Sequence, residues 1–236
     1  MKQNPIIVAL DVDSASEARD LVARIGSGVN FYKVGMELYA AAGMDFVREL
    51  IALGKDVFLD LKFYDIGETV RRAVAQVAKS DVRFLTVHGS NAVMHAAVAG
   101  KAGAPLRLLG VTVLTSFDEQ DLTDLGFPCT VAGLVALRVR NAMAAGLDGV
   151  VASPLEAATV RKIAGPRAII VTPGVRSAGA GRGDQKRVAT PAQALLAGAD
   201  YVVMGREITR ASGPAAEILR VLTEIESCRT GCATPG

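Results

Sequence analysis

The stretch Ile6-Ile-Val-Ala-Leu-Asp-Val12 is apolar without a break until Asp11. A strand with one wet face alternates apolar and polar residues, whereas a continuous apolar run suits a strand covered on both faces. Seven more runs of this kind follow: Phe31–Val34, Val57–Leu61, Phe84–Val87, Leu106–Leu114, Gly149–Ala152, Ala168–Thr172 and Tyr201–Met204. They are separated by stretches with helical spacing and recur about every 30 residues, the rhythm of an α/β fold of the (β/α)8 TIM-barrel type. A doubly wound open sheet is the alternative, but eight βα units in 236 residues favour the closed barrel.

The punctuation between runs agrees with this reading. Ser14-Ala-Ser-Glu17 and Ser116-Phe-Asp-Glu119 fit the capping box, in which side chains satisfy orphan N–H groups at a helix start. Ser153-Pro-Leu-Glu156 and Thr190-Pro-Ala-Gln193 fit it with proline at the first helical position. Gly54, Gly103, Gly146, Gly165 and Gly198 stand where helices should end. No linker or low-complexity segment divides the chain, so a single domain is expected over residues 1–227, with 228–236 as a flexible tail. The glycine-rich stretch Gly174–Lys186 reads as a mobile loop.

Apolar residues make up 50% and charged residues 21%, a globular composition that excludes a wholly disordered chain. The formal charge of +2 gives no general attraction to nucleic acid or to an anionic membrane. No apolar run approaches the roughly 18 residues of a membrane span, and the N-terminal run is too short for a signal-peptide core. A soluble cytoplasmic protein is expected. The three cysteines suggest no disulfide framework, and the two histidines, His88 and His95, argue against a multi-histidine metal site.

In such a barrel the active site lies at the C-terminal ends of the strands. The polar residues there are Asp11, Asp13, Lys33, Asp60, Lys62, Asp65, His88, Thr115, Ser116, Arg176, Gly205 and Arg206. Asp60 and Lys62 are two apart and should share a face, leaving Leu59, Leu61 and Phe63 to the helices. Charges inside a barrel are costly unless paired, and Asp11, Lys33, Asp60 and Lys62 would form an alternating array that pairs them. A protonated lysine between carboxylates is a proton donor and a cation, and a poor imine-forming nucleophile. Asp65 has two readings, a site residue or the cap of a helix beginning Asp65-Ile-Gly-Glu68. At strands 7 and 8, Arg176, Arg206, Gly205 and Gln185 suit a phosphate group. His88 reads as a rim histidine, Thr115 as a cap or turn residue, and Tyr32 and Tyr39 as packing.

The segment Asp60-Leu-Lys-Phe-Tyr-Asp65-Ile resembles the D-x-K-x-x-D signature of orotidine 5′-monophosphate decarboxylases. The likeness extends through Tyr32-Lys33-Val34-Gly35, Val87-His88, Val113-Leu-Thr-Ser116, Thr172-Pro-Gly-Val-Arg176, Gly183-Asp-Gln185 and Gly205-Arg206. D-x-K-x-x-D alone marks a broader superfamily that includes metal-dependent sugar-phosphate enzymes, but those tend to carry an acidic metal ligand where this chain has Lys33. Tyr64 stands where the family often has His, and Gly67-Glu68 where it often has Pro-Asn before Thr69. The resemblance implies cofactor-free decarboxylation of orotidine 5′-monophosphate to uridine 5′-monophosphate, in pyrimidine biosynthesis, with no metal. It implies Lys62, Asp60 and Asp65 as catalytic residues, and Asp11, Lys33, Thr69, Thr115, Arg176, Gln185, Gly205 and Arg206 as substrate-binding ones. It further implies a homodimer in which Asp65 completes the neighbouring subunit's site.

Overall fold

The computed structural model describes residues 4–177 and 189–231 of the chain. Within them, eight parallel strands close into one barrel in sequence order, with the last strand bonded back to the first. The strands are β1 (Ile6–Ala9), β2 (Phe31–Gly35), β3 (Asp56–Phe63), β4 (Phe84–His88), β5 (Arg107–Val111), β6 (Gly149–Val151), β7 (Ile169–Thr172) and β8 (Tyr201–Met204). Around them lie α1 (Ala15–Ile25), α2 (Met36–Ala52), α3 (Gly67–Val77), α4 (Asn91–Lys101), α5 (Glu119–Asp124), α6 (Val131–Ala145), α7 (Ala157–Ala164), α8 (Pro191–Leu196), α9 (Arg206–Thr209) and α10 (Pro214–Gly231). Every expected run coincides with a strand; β2, β3 and β4 extend beyond theirs, to Gly35, to Asp56 and Phe63, and to His88. At β1 and β5 the apolar run continues past the paired residues onto the barrel rim, where Asp11, Val113 and Leu114 line a cavity.

The strands are buried on both sides because each is sandwiched between the barrel interior and a helix layer. Ile6, Ile7, Val8, Leu59, Leu85, Leu108, Ile170 and Val202 have no exposed surface. Tyr32 is equally buried; its hydroxyl donates to the Val29 carbonyl at 3.2 Å, and burial pushes its pKa up to about 12. Tyr39 is partly buried against the same core.

The caps follow the sequence reading in part. Thr190 and Gln193 form a complete capping box, and Ser14 accepts from the Glu17 N–H. Ser153 caps a single 3-10 turn, Pro154–Glu156, that leads into α7. The expected start at Ser116 is displaced: Asp118 caps α5, accepting from the Gln120 and Asp121 N–H groups, and Asp121 closes the box. A turn from Leu114 to Phe117 comes first, which moves the helix start onward by two residues and leaves Ser116 on the cavity wall. Of the two readings of Asp65, the helix cap does not form. Ile66 occupies the cap position of α3 without a side-chain bond, and Glu68 turns instead to Arg71 and Arg72. The final helix runs through positions 227 and 228 without a break.

The end of the barrel away from that cavity is tied by carboxylates. Asp148 accepts from Lys101 Nζ, Arg107 Nη1 and the Leu108 N–H, each at 2.8 Å. Asp200 likewise accepts from Arg161 and from the Ile170 N–H. Arg83 bonds Asp56 and the Tyr201 hydroxyl and lies over the rings of Phe31, Phe84 and Tyr201. Burial alone would raise the Asp148 pKa, but the bonds from Lys101, Arg107 and the Leu108 N–H outweigh it and hold the group below the ordinary carboxylate value. Its contribution to stability is therefore complete above the ordinary carboxylate range and is lost as pH falls through the lowered value. Asp148→Ala leaves Lys101 and a strand N–H without their acceptor, and should cost about 3 kcal/mol of unfolding free energy. Urea denaturation checks this; an unchanged midpoint would show that these bonds do not stabilise the barrel.

Candidate active site

The C-terminal ends of the strands surround a cavity of about 590 Å³. Asp11, Lys33, Asp60, Lys62, Thr115, Arg176, Gly205 and Arg206 all line it. The charged residues form one chain of contacts. Asp11 Oδ1 lies 2.8 Å from Lys33 Nζ, Lys33 Nζ 3.8 Å from Asp60 Oδ2, and the same Oδ2 2.9 Å from Lys62 Nζ. The middle of the array is the driest part: the side chains of Lys33 and Asp60 are 11% and 15% exposed, against 31% for Lys62 and 53% for Asp11. The expected alternating array is thus present, with each inner charge between two of opposite sign.

Lys62 reaches this position by a route that simple alternation does not describe. Leu59 pairs with Leu85 and Phe63 with Val87, so four steps along β3 run opposite two along β4. The surplus residues form a bulge, and Lys62 within it has a φ of 49°, in the left-handed region that a residue with a Cβ enters only at a cost. Asp60 and Lys62 do share the cavity, while Leu61 and Phe63 pack partly against the core. Thr86, in the middle of β4, is fully buried and bonds to both: the Lys62 N–H donates to Thr86 Oγ1, and the Thr86 hydroxyl donates to Asp60 Oδ1, each at 2.9 Å. Sequence reasoning passed over Thr86. The available signal was one hydroxyl inside the apolar run Phe84–Val87.

Two arginines stand on the wall formed by β7 and β8. The guanidinium of Arg176 donates to the Val175 carbonyl, and burial together with the nearby Arg206 charge lowers its pKa from the ordinary arginine value, with Glu207 opposing. Glu207 accepts from the Ser177 N–H and from Arg220 of α10, and so holds the segment that carries Arg176. Gly205 precedes α9 and needs no left-handed backbone; a Cβ there would meet nothing nearer than 3.7 Å. Gln185 lies outside the described residues. Thr69 is exposed on α3 and does not line the cavity.

Asp65 does not line the cavity of its own chain either. It is exposed, its Oδ1 accepts from the Ile66 N–H at 2.6 Å, and among the described residues it has no ion-pair partner. Tyr64 and Ile66, on either side of it, are 68% and 73% exposed. The Tyr64 ring stacks on His88 at 4.2 Å between centroids. His88 is half-buried as a rim residue; burial, with a smaller effect of Arg138, lowers its pKa. Among the described residues no group of three or more His, Cys, Asp or Glu side chains converges to hold a metal ion.

Gly35, at the end of β2, has an ordinary negative φ, so its backbone does not call for glycine. Its side does: a Cβ would lie 2.8 Å from Lys33 Nζ and 3.1 Å from Asp11 Oδ1. Gly35→Ala should therefore drive Lys33 off Asp11 with little change to the barrel. Calorimetry should find a nearly unchanged melting temperature, and a crystal structure of the variant should find the two groups apart. An intact pair in that structure would sink the steric account.

Comparison with known proteins agrees with this geometry. The sequence matches the profile of the Orotidine 5'-phosphate decarboxylase / HUMPS family over residues 4–221. It is 52% identical over 225 residues to the orotidine 5'-phosphate decarboxylase of Nitrobacter winogradskyi, spanning 95% of this chain and 94% of that one. It is 49% identical over 220 residues to the enzyme of that name from a Caulobacter species, spanning 93% and 96%. The crystal structure of orotidine 5'-phosphate decarboxylase from Lactobacillus acidophilus superposes with a TM-score of 0.81 at 35% identity, covering 94% of this chain and 99% of that one. A cavity walled by alternating charges and two arginines, on a barrel matched along nearly its whole length, places the chain in the Orotidine 5'-phosphate decarboxylase / HUMPS family.

Proposed function

We propose that this chain decarboxylates orotidine 5′-monophosphate to uridine 5′-monophosphate and carbon dioxide, as a step of pyrimidine nucleotide synthesis, using no metal or organic cofactor. The observation that carries the reading is the array Asp11–Lys33–Asp60–Lys62 along one wall of the cavity, with Arg176 and Arg206 on the β7–β8 side. A cytoplasmic location belongs to the same proposal.

On this reading the two arginines, the Gly205 backbone and Gln185 bind the phosphate. Like charges at Arg176 and Arg206 are relieved by a dianion between them. Gly205 carries no side chain on the cavity wall, so an oxygen can approach its main chain closely. Asp11 and Lys33 meet the ribose hydroxyls, and Thr115 lies by the base or the phosphate. Binding energy from these remote contacts supports the chemistry at the ring. The bond from ring carbon six to the carboxylate breaks, its electron pair stays on that carbon, and carbon dioxide leaves. The resulting sp2 carbanion delocalises poorly into the ring. The Lys62 ammonium stabilises that charge as it develops and then delivers a proton from Nζ to form the C–H bond. Asp60 holds Lys62 in place for both steps.

The proposal includes a homodimer in which Asp65 enters the neighbour's site beside Lys62. Its support is that Asp65 is exposed, has no ion-pair partner among the described residues, and is flanked by the exposed apolar side chains Tyr64 and Ile66. Thr69, exposed on the same segment, goes with Asp65 to the partner's cavity. A metal-dependent sugar-phosphate enzyme is disfavoured by Lys33, whose ammonium would repel a divalent cation at the cavity wall.

Purified protein mixed with orotidine 5′-monophosphate in a chelator should convert it, as read by the pyrimidine ultraviolet absorbance. A folded protein that needs added Mg²⁺ would contradict the cofactor-free reading. Lys62→Ala should abolish turnover while circular dichroism stays unchanged; substantial residual turnover would remove Lys62 from its role. Lys62→Ala and Asp65→Ala chains, each inactive alone, should recover about a quarter of wild-type activity when mixed in equal amounts and allowed to exchange, because half the dimers then hold one intact site of two. No recovery in dimers shown to have exchanged would place Asp65 in its own chain's site.

A further inference from the structure

Thr86 has a place in the site that its burial conceals. Its hydroxyl is inaccessible to solvent and does not line the cavity, so it does not touch substrate. It sits between the two residues on which the proposed chemistry turns. It accepts the Lys62 N–H, inside the bulge where pairing between β3 and β4 is interrupted, and it donates its own proton to Asp60 Oδ1.

We infer that Thr86 is a positioning residue for decarboxylation: its hydroxyl orients the Asp60 carboxylate and pins the left-handed Lys62 backbone, so that the Lys62 ammonium is aimed before substrate binds. This inference rests on the role assigned to Lys62 above. The argument is one of degrees of freedom. A carboxylate rotates about the bond to its β-carbon, and Lys62 has a long side chain on a backbone held at a costly φ. With Oδ1 taken by Thr86, Oδ2 faces Lys62 Nζ at 2.9 Å and Lys33 Nζ at 3.8 Å. Without the hydroxyl, Asp60 loses the donor that fixes its plane, and the Lys62 N–H loses its acceptor in the bulge. Both losses displace the ammonium; Lys33 keeps its 2.8 Å pair with Asp11, so the ribose contacts stay in place with those to the phosphate. The effect therefore belongs in kcat and not in KM.

The test is a set of four proteins assayed with orotidine 5′-monophosphate: wild type, Thr86→Val, Thr86→Ala and Thr86→Ser. Valine keeps the shape and loses the hydroxyl, alanine loses both, and serine keeps the hydroxyl and loses the methyl. The inference expects kcat to sort by hydroxyl and not by volume. Valine and alanine variants should fall by at least about tenfold with KM nearly unchanged, and serine should stay within a few-fold of wild type. A residue that merely fills the core would instead make valine the mildest change and group serine with alanine. Should valine disturb folding, the alanine–serine comparison decides alone, and equal kcat for those two overturns the inference. Wild-type turnover with an unimpaired valine variant overturns it while leaving the decarboxylase reading standing. Absence of wild-type turnover, or full turnover by Lys62→Ala, overturns the reading of Lys62 and this inference with it.

Discussion

The Asp60 carboxylate is the constraint around which the site is arranged. One oxygen accepts from Thr86 and the other faces two ammonium groups, so both oxygens of a nearly buried anion have partners. Taking a charge out of water costs several kcal/mol even in a relaxed protein. Against this, two unit charges about 4 Å apart attract by about 4 kcal/mol at an effective dielectric of 20. A single pair would be roughly neutral. A chain of four alternating charges gives each inner member two neighbours of opposite sign, which is enough to hold Lys33 and Asp60 in the driest part of the cavity. Much else follows from this one carboxylate. The bulge in β3 brings Lys62 back to it, and the bare side of Gly35 leaves Lys33 room to reach Asp11.

The two ends of the barrel place charge differently. At the end away from the candidate active site, Asp148 and Asp200 are taken up by backbone and side-chain donors, Asp148 by Lys101, Arg107 and the Leu108 N–H and Asp200 by Arg161 and the Ile170 N–H. Those charges hold strands together. At the other end the charges hold one another, and their outer members, Asp11 and Lys62, remain accessible to a ligand. This division follows from the parallel fold, in which all eight strands point the same way and only one end receives the loops that follow them.

The eight strands were legible because a strand buried on both faces needs an unbroken apolar run, and turns between parallel strands call for glycine and capping residues. Asp11, Lys33, Asp60 and Lys62 were legible because charges at the ends of such runs have few other reasons to be there. What stayed hidden depends on contacts between distant positions. Thr86 looks like any β-branched residue in a strand, and only the register of β3 against β4 brings its hydroxyl to Asp60. The start of α5 slipped from Ser116 to Asp118 because a preceding turn, invisible in a four-residue pattern, competes for the same chain. Asp65 fits a capping pattern, yet its bond to Ile66 leaves it outside α3. A pattern match there could not distinguish a residue that serves its own helix from one that faces outward.

The bulge in β3 also has a parity. Its four steps against two in β4 add an even number of residues, so Leu59 and Phe63 keep the same phase of in-and-out alternation on either side of it. An odd insertion would instead have turned Phe63, the last residue of β3, away from the core it packs against. Only a change of two residues around Lys62 would leave Phe63 in the same phase as Leu59. A point substitution in this segment leaves the phase of the strand untouched, whereas a change of length by one residue alters it, so the pleat constrains the length of the segment separately from its composition.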